Sequence, residues 1–142
     1  MEARKKILCK LEEMNTYLNE LDEILPDTKS KYLQNLIVRR ACEKTIESAI
    51  EAVISIISMI VSSKNLGLPQ SEDDLVNILE KRKILTKITA ERIREMKGFR
   101  NILVHKYGEI NDKQVYEFLT SEMSDFSKFE KEIKTFLGKG NQ

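Results

Sequence analysis

Apolar residues recur along this chain at intervals of three and four positions, which is the period of an amphipathic α-helix. The first such stretch predicts a helix from about Glu2 to Leu25, and Pro26 ends it because proline cannot continue helical hydrogen bonding. Its predicted inward stripe is Ile7, Leu11, Met14, Leu18, Leu21 and Leu25. A second stretch predicts a helix from about Thr28 to Ser63, and a length of about 50 Å leaves room for a bend or break. Its apolar face is expected to start at Leu33, Leu36 and Ile37.

Capping residues mark the later helices. We expect Gly67 to cap the end of the long helix, Ser71 to begin a short one, and Thr89 to begin the next. Asn111 or Asp112 should begin a final helix that continues to about Gly138. The pattern therefore predicts an all-α fold, an up-and-down bundle of four to five helices that forms one domain over residues 1–142.

Composition narrows the class of protein. Only 5 glycines and 2 prolines are present, too few for the many tight turns of an all-β fold. The two cysteines, Cys9 and Cys42, lie inside helical patterns and are expected to be reduced core thiols of a cytoplasmic protein. Two cysteines with one histidine give no zinc-site spacing, and we expect no metal and no cofactor. The charged N-terminus indicates no signal peptide, and the apolar run from Val53 to Val61 is too short to span a membrane.

The net charge of +1 conceals one strongly basic segment. Residues 81–106 carry nine Lys or Arg against Glu91 and Glu95, which makes the segment +7 and the remaining chain −6. This distribution favours a local anion-binding site over general binding of polyanions.

The basic segment contains an arginine at an apolar position of its helix. Ile93, Met96, Leu103, Val104 and Tyr107 form one stripe at 100° per residue, and Arg100 lies in its middle. A buried arginine is costly unless its five N–H donors meet acceptors. The partner is expected to be Glu47 or Glu51 of the long helix, backbone carbonyls, or a bound phosphate.

The only histidine, His105, lies one turn beyond Asn101 on a neighbouring face. Side chains four apart on a helix can meet, so Asn101 is predicted to orient the imidazole or to contact a phosphate. A lone histidine is more often an ordinary surface residue, but Arg100, Lys106 and Tyr107 lie within two turns of it. Ile102 points away from the apolar stripe and hints at a second buried surface, such as a dimer interface.

The run Arg100-Asn101-Ile102-Leu103-Val104-His105-Lys106-Tyr107 resembles the Arg-x4-His-x-Tyr motif of HEPN-domain ribonucleases, specifically the HepT-like toxins of prokaryotic toxin–antitoxin pairs. The resemblance covers nearly the whole chain. It includes the stretch from Arg39 to Glu43 and the turn from Tyr107 to Asn111.

This resemblance implies a homodimeric, metal-independent RNA endonuclease of a type VII toxin–antitoxin system. The active site would form in a composite cleft where two motif helices meet, with Arg100 and His105 as catalytic residues and Asn101 in a supporting role. The cognate minimal nucleotidyltransferase antitoxin would silence the enzyme by attaching AMP to Tyr107. The cations Arg94, Lys97 and Lys106 would bind the RNA backbone.

Two alternatives remain open at this stage. The chain could be a non-catalytic partner subunit that holds the nucleotide or substrate of a nucleotidyltransferase. It could also be a helical dimerisation domain in which Arg100 only pairs with acidic residues.

Overall fold

The computed structural model describes residues 2–105 and 110–139, and within these ranges every regular element is an α-helix. The helices are α1 (Glu2–Ile24), α2 (Lys29–Gln34), α3 (Leu36–Ser63), α4 (Glu72–Lys81), α5 (Lys87–His105), α6 (Asp112–Ser121) and α7 (Ser124–Lys139). The predicted all-α bundle is confirmed. The described part has seven helices where four to five were predicted, because two of the predicted helices are each divided in two.

Asn35 divides the predicted second helix. Its backbone is extended (φ −125°, ψ 101°), its N–H donates to the Tyr32 carbonyl, and its side-chain oxygen accepts from the Val38 N–H at 3.0 Å. One asparagine thus ends α2 and caps α3, because its short polar side chain competes with the backbone for hydrogen bonds. The predicted start of the apolar face is confirmed at Leu33, which packs against the core, and was wrong at Leu36 and Ile37, which are 53% and 81% exposed.

The predicted last helix begins where expected and is then interrupted. The side chain of Asn111 accepts from the N–H groups of residues 113 and 114, which confirms it as the cap of α6. Near the end of α6 the hydroxyls of Thr120 and Ser121 donate to the carbonyls of Tyr116 and Glu117. Hydroxyls that bond back to the preceding turn weaken a helix, and α7 begins afresh at Ser124.

A residue with left-handed backbone follows each of α3 and α4: Asn65 after α3 and Lys83 after α4. Asn65 (φ +52°) follows α3, and the N–H of Leu66 donates to the Val61 carbonyl at 3.0 Å. This is the Schellman arrangement, and its left-handed position is Asn65, two residues before Gly67, the predicted cap. At the start of α4 the Ser71 hydroxyl accepts from the Asp74 N–H, so the predicted cap there is confirmed.

Helix α3 lies at the centre of the bundle. It packs along α1 and also contacts α2, α4, α5 and α6. The predicted α1 stripe is buried at Ile7, Leu11, Met14 and Leu21 and half-buried at Leu18 and Leu25. Of the two cysteines, Cys42 is buried as predicted, whereas Cys9 is exposed on α1.

Helix α3 is also long and apolar enough, by length and composition, to cross a membrane. An 18-residue window within it has a mean hydropathy of 1.7, but half of that window is buried inside the protein. Its buried face carries residues such as Ile46, Ile50, Ile56 and Ile60 that form the common core with the other helices. These contacts are those of a core helix.

Glu43 on α3 is one of the few buried charged residues among those described, with 8% of its surface exposed. Burial raises its pKa, and the charge of Arg40, whose guanidinium donates to it at 3.0 Å, only partly opposes that rise. The folded protein therefore binds this proton more tightly than the unfolded chain does. Between the ordinary and the raised pKa, stability falls as the pH rises.

We therefore expect Glu43→Gln to gain stability relative to the wild type as the pH rises above about 4, the ordinary glutamate range. The measurement is the urea midpoint of both proteins at a series of pH values. Glu47→Gln is the matched control, since Glu47 lies one turn further along α3 and pairs with Lys44 at 3.1 Å. A difference between wild type and Glu43→Gln that stays constant with pH would contradict this account.

Candidate active site

Helix α5 carries the sequence motif, and its first turn is fixed by a threonine network. The helix begins at Lys87, and Thr86 is its cap, because the Thr86 hydroxyl accepts from the Thr89 N–H at 3.2 Å. Thr89, the predicted cap, is instead buried in the first turn and donates to Glu132 of α7 at 2.5 Å. Ile93, Met96 and Leu103 then hold the predicted inward face against the core.

The guanidinium of Arg100 is buried between three helices, with 9% of the side chain exposed. Its Nη1 donates to Glu51 of α3 at 2.7 Å, and its Nη2 donates to Glu72 at the start of α4. Glu51 was one of the two predicted partners, whereas Glu47 pairs with Lys44. Burial alone would lower the pKa of Arg100, but the hydrogen bond to Glu51 and the charges of both carboxylates outweigh it, so the pKa is raised.

Glu72 is the member of this cluster that the sequence analysis missed. It follows Ser71, and an acid in the first turn of a helix is explained by the helix dipole alone. The available signal was a count of hydrogen-bond donors: a buried arginine has five N–H donors, more than one carboxylate can accept. Further acceptors were therefore required, and Glu72 of α4 and Asn101 of α5 supply them.

Asn101 contacts the arginine and not the histidine. Its Oδ1 accepts from the Arg100 Nε at 2.9 Å, and no hydrogen bond joins it to His105 within the described residues. His105 is exposed at the end of α5. Five residues along a helix correspond to a turn of about 140°, so Arg100 and His105 leave α5 on different sides. In one chain the predicted catalytic pair is therefore divided between the interior and the surface.

The two predicted RNA-binding cations that the structure describes are paired with acids of α4. Lys97 lies 2.8 Å from Asp73, and Arg94 lies 2.5 Å from Glu80. Lys106 and Tyr107, the other predicted site residues, lie outside the described residues.

The outward face of α5 carries apolar residues that no other described helix covers. Ile88 is 61% exposed and Ile102 is 42% exposed. Gly98 lies between them on this face, and a side chain there would meet no atom within 4 Å. At 100° per residue His105 points to the same side, so the histidine belongs to this uncovered surface.

No group of three or more His, Cys, Asp or Glu in residues 2–105 and 110–139 is arranged to hold a metal ion. The acidic residues nearest the motif, Glu51 and Glu72, are both engaged by Arg100.

The Arg100–Glu72 pair should contribute more to stability than the Lys97–Asp73 pair of the same two helices. A double-mutant cycle with Arg100→Met and Glu72→Gln is expected to give a coupling of about 1 kcal/mol, because one partner is buried. The control cycle, Lys97→Met with Asp73→Asn, should give about 0.3 kcal/mol because Asp73 is 56% exposed. Urea denaturation measures both, and equal couplings would show that burial of Arg100 adds nothing.

Comparison with known proteins assigns this chain to a defined family. Residues 14–133 match the family described as ribonuclease HepT-like. The mRNA nuclease HepT of Shewanella oneidensis is 27% identical over 128 residues, which are 90% of this chain and 96% of that protein. The tRNA nuclease HepT of Aphanizomenon flos-aquae is 28% identical over 131 residues, or 92% and 89% of the two chains.

A solved structure, the tri-AMPylated Shewanella oneidensis HEPN toxin in complex with an MNT antitoxin, superimposes with a TM-score of 0.85 at 26% identity. The match covers 91% of this chain and 96% of that toxin. The predicted HEPN resemblance is thereby confirmed, and so is the predicted enzyme class: this chain belongs to the HepT-like ribonuclease family.

Proposed function

We propose that this protein is a metal-independent RNA endonuclease and the toxin of a type VII toxin–antitoxin pair, acting in the cytoplasm as a single-domain homodimer. One observation carries the proposal. A HepT-like chain retains the whole Arg-x4-His-x-Tyr motif, and its helix holds Arg100 in a buried acid–amide cluster while His105 stands exposed at the end.

The reaction needs no group that a histidine and an arginine cannot supply. A base removes the proton of the 2′-hydroxyl, and the resulting oxygen attacks the adjacent phosphorus. The bond to the 5′-oxygen of the next nucleotide breaks, and an acid protonates that oxygen. One imidazole cannot readily serve as both base and acid at the same bond, and a two-fold dimer supplies one imidazole from each chain.

Arg100 would bind the phosphate and stabilise the charge that develops on its non-bridging oxygens. Three of its five N–H donors are engaged, by Asn101, Glu51 and Glu72, which leaves two for the substrate. Glu51 and Glu72 are 49% and 40% exposed, so their carboxylates have room to yield when a phosphate approaches. Asn101 would keep the guanidinium oriented through its Nε.

The uncovered face of α5 supports the composite site. Arg100 and His105 of one chain leave the helix on different sides, so one chain alone does not bring them to one phosphate. A second copy packed against Ile88, Gly98 and Ile102 would bring its own His105 beside the first. The cations Arg94, Lys97 and Lys106 would then bind the flanking RNA backbone, with Arg94 and Lys97 exchanging their α4 carboxylates for phosphates.

Control of the enzyme would come from a partner, and this is supported by the similarity to a tri-AMPylated Shewanella oneidensis HEPN toxin solved in complex with an MNT antitoxin. A nucleotidyltransferase antitoxin would attach AMP to Tyr107, which is seven residues after Arg100 in the sequence. The added phosphate is bulky and negative, and it would exclude RNA from Arg100 by occupancy and repulsion.

The salt-bridged state of Arg100 also favours one alternative, a non-catalytic subunit that binds the nucleotide or substrate of such a nucleotidyltransferase. In that case the same cluster would hold a phosphate without turnover. Nucleotide binding with no cleavage of any RNA would support this second function.

The purified protein should cleave single-stranded or loop RNA in the presence of EDTA. His105→Ala and Arg100→Ala should each lower the rate at least about 100-fold, the scale of one acid–base or electrostatic contribution. Lys134→Ala, which removes an exposed cation of α7, should leave the rate unchanged. Gel-resolved cleavage of a labelled RNA measures the rates, and cleavage by His105→Ala at the wild-type rate would reject the mechanism.

Mixing wild-type and His105→Ala chains tests whether the site is shared. If one site needs both imidazoles, an equal mixture should retain about one quarter of the activity, because only wild-type homodimers cleave. If each chain acts alone, about one half should remain. The second result would leave the nuclease standing and reject the composite site.

Co-expression with a cognate minimal nucleotidyltransferase should add one or more AMP masses to this chain and abolish cleavage. Tyr107→Phe should prevent both effects, while Tyr17→Phe should prevent neither. Intact-mass spectrometry measures the addition. An adduct that persists on Tyr107→Phe would assign the modification to another residue.

A further inference from the structure

The basic segment is divided by the fold into a paired half and an unpaired half. From residue 92 to residue 100 all four cations meet acids: Arg92 pairs with Glu95, Arg94 with Glu80, Lys97 with Asp73, and Arg100 with two carboxylates. At the other end, Lys81, Arg82, Lys83 and Lys87 have no acidic side chain within 4.0 Å in the described part of the chain. The positive charge that remains available therefore lies where α4 ends and α5 begins.

This end of the bundle contains a groove of about 430 Å³, which we name the α4–α7 groove. Its cations are Arg82, Lys83 and Lys139, and its apolar residues are Leu66, Ile84 and Phe136. The groove has one acidic lining residue, Glu132, whose oxygens accept from the Thr86 N–H at 2.8 Å and from the Thr89 hydroxyl at 2.5 Å. This carboxylate is thus hydrogen-bonded to residues at the start of α5. The groove has a net positive charge because three cations line it against one carboxylate.

Lys83 occupies a backbone position that favours glycine. Its φ is +59°, and the N–H of the next residue, Ile84, donates to the Leu79 carbonyl at 2.9 Å. This is the left-handed residue of a Schellman motif, where glycine is the usual choice and asparagine the next. The same motif after α3 has asparagine, Asn65 at φ +52°. Lysine is therefore present at the rim of the groove despite the backbone preference.

Helix dipoles account for part of this charge, since cations are favourable near the carboxyl ends of α4 and α7. They do not explain a lysine with left-handed backbone, because an exposed lysine one residue earlier would serve the dipole equally well. Nor do they explain an apolar floor that includes an aromatic ring. A cationic rim over apolar residues is the arrangement with which proteins bind the phosphates and bases of single-stranded nucleic acid.

We propose that the α4–α7 groove is a second RNA-binding site, which holds the backbone of a single strand at a distance from the scissile bond; the proposal rests on the ribonuclease function above. The groove lies at the beginning of α5 and His105 at its end, 18 residues and about 27 Å away. At the 3.4 Å per nucleotide of a stacked helical strand, this distance corresponds to about eight nucleotides, and to fewer when the strand is extended. The site would select RNA long enough to reach both.

The test uses a substitution that should maintain or raise the stability of the protein and at the same time weaken its binding of RNA. In a His105→Ala background, which prevents cleavage, Lys83→Gly should leave the urea midpoint unchanged or raise it, because glycine suits the left-handed position. The same change should weaken binding of a 20-nucleotide RNA roughly 3- to 10-fold at low salt. It should also reduce the slope of log affinity against log salt by about 0.7, the value of one phosphate contact on a single strand.

Asn65→Gly is the matched control, since it makes the same backbone change at the end of α3. It should affect the midpoint similarly and leave RNA affinity unchanged. A four-nucleotide RNA, too short to span about 27 Å, should bind the parent protein more weakly than the 20-nucleotide RNA, because it cannot reach both sites.

Unchanged affinity of Lys83→Gly for the long RNA would overturn the second site. Equal affinity of the parent protein for the long and the short RNA would overturn it as well, because a strand that reaches both sites should bind more tightly than one that reaches a single site. In both cases cleavage by the wild-type protein, measured in the same buffer, would leave the nuclease proposal intact. Absence of both cleavage and binding in the wild type would overturn the two proposals together.

Discussion

The buried guanidinium of Arg100 constrains the arrangement of the helices around it. A charge inside a protein is strongly destabilising unless opposite charges and hydrogen-bond acceptors surround it. Here one acceptor comes from the middle of α3, one from the first turn of α4 and one from the next residue of α5. These contacts fix the position of α4 relative to α5, and Lys97–Asp73 and Arg94–Glu80 extend the same pairing along the interface. The apolar residues Leu75, Val76 and Leu79 then hold α4 against the core.

This pairing determines where the protein can attract an anion. The acidic first turn of α4 serves its own helix dipole and also neutralises the cations of α5, so the centre of the basic segment presents little net charge. The cations that precede α5 are left without acidic partners among the described residues. Within the basic segment, the cations without acidic partners among the described residues therefore lie at one end of the bundle, although the formal charge of the protein is only +1. Binding of a phosphate depends on the local charge of the surface, so the fold determines the anion-binding position more than the overall composition does.

The sequence predicted the helices well where periodicity and caps agree, as at Ser71 and Asn111. It failed where two signals compete. The apolar pattern continues without a break across Asn35, but the side chain of Asn35 ends α2 and caps α3. The spacing of apolar residues does not reveal such a cap inside a long helical stretch. For the site, the burial of Arg100 and its contact with Glu51 could be predicted from helix geometry. Glu72 could not, because the angle between α4 and α5 depends on packing that no local pattern contains.

The geometry of α5 gives a physical reason for a shared active site. The interior position of Arg100 allows three acceptors to orient the guanidinium, and such orientation is what electrostatic stabilisation of a transition state requires. The exposed position of His105 allows proton exchange with substrate, which burial would hinder. One helix cannot place both side chains on the same side when they are five residues apart. In the proposed dimer, a helix from a second copy packed on the uncovered face would place a second imidazole beside the first, so that one could act as base and the other as acid. The buried arginine and the exposed histidine are consistent with such a site between two chains.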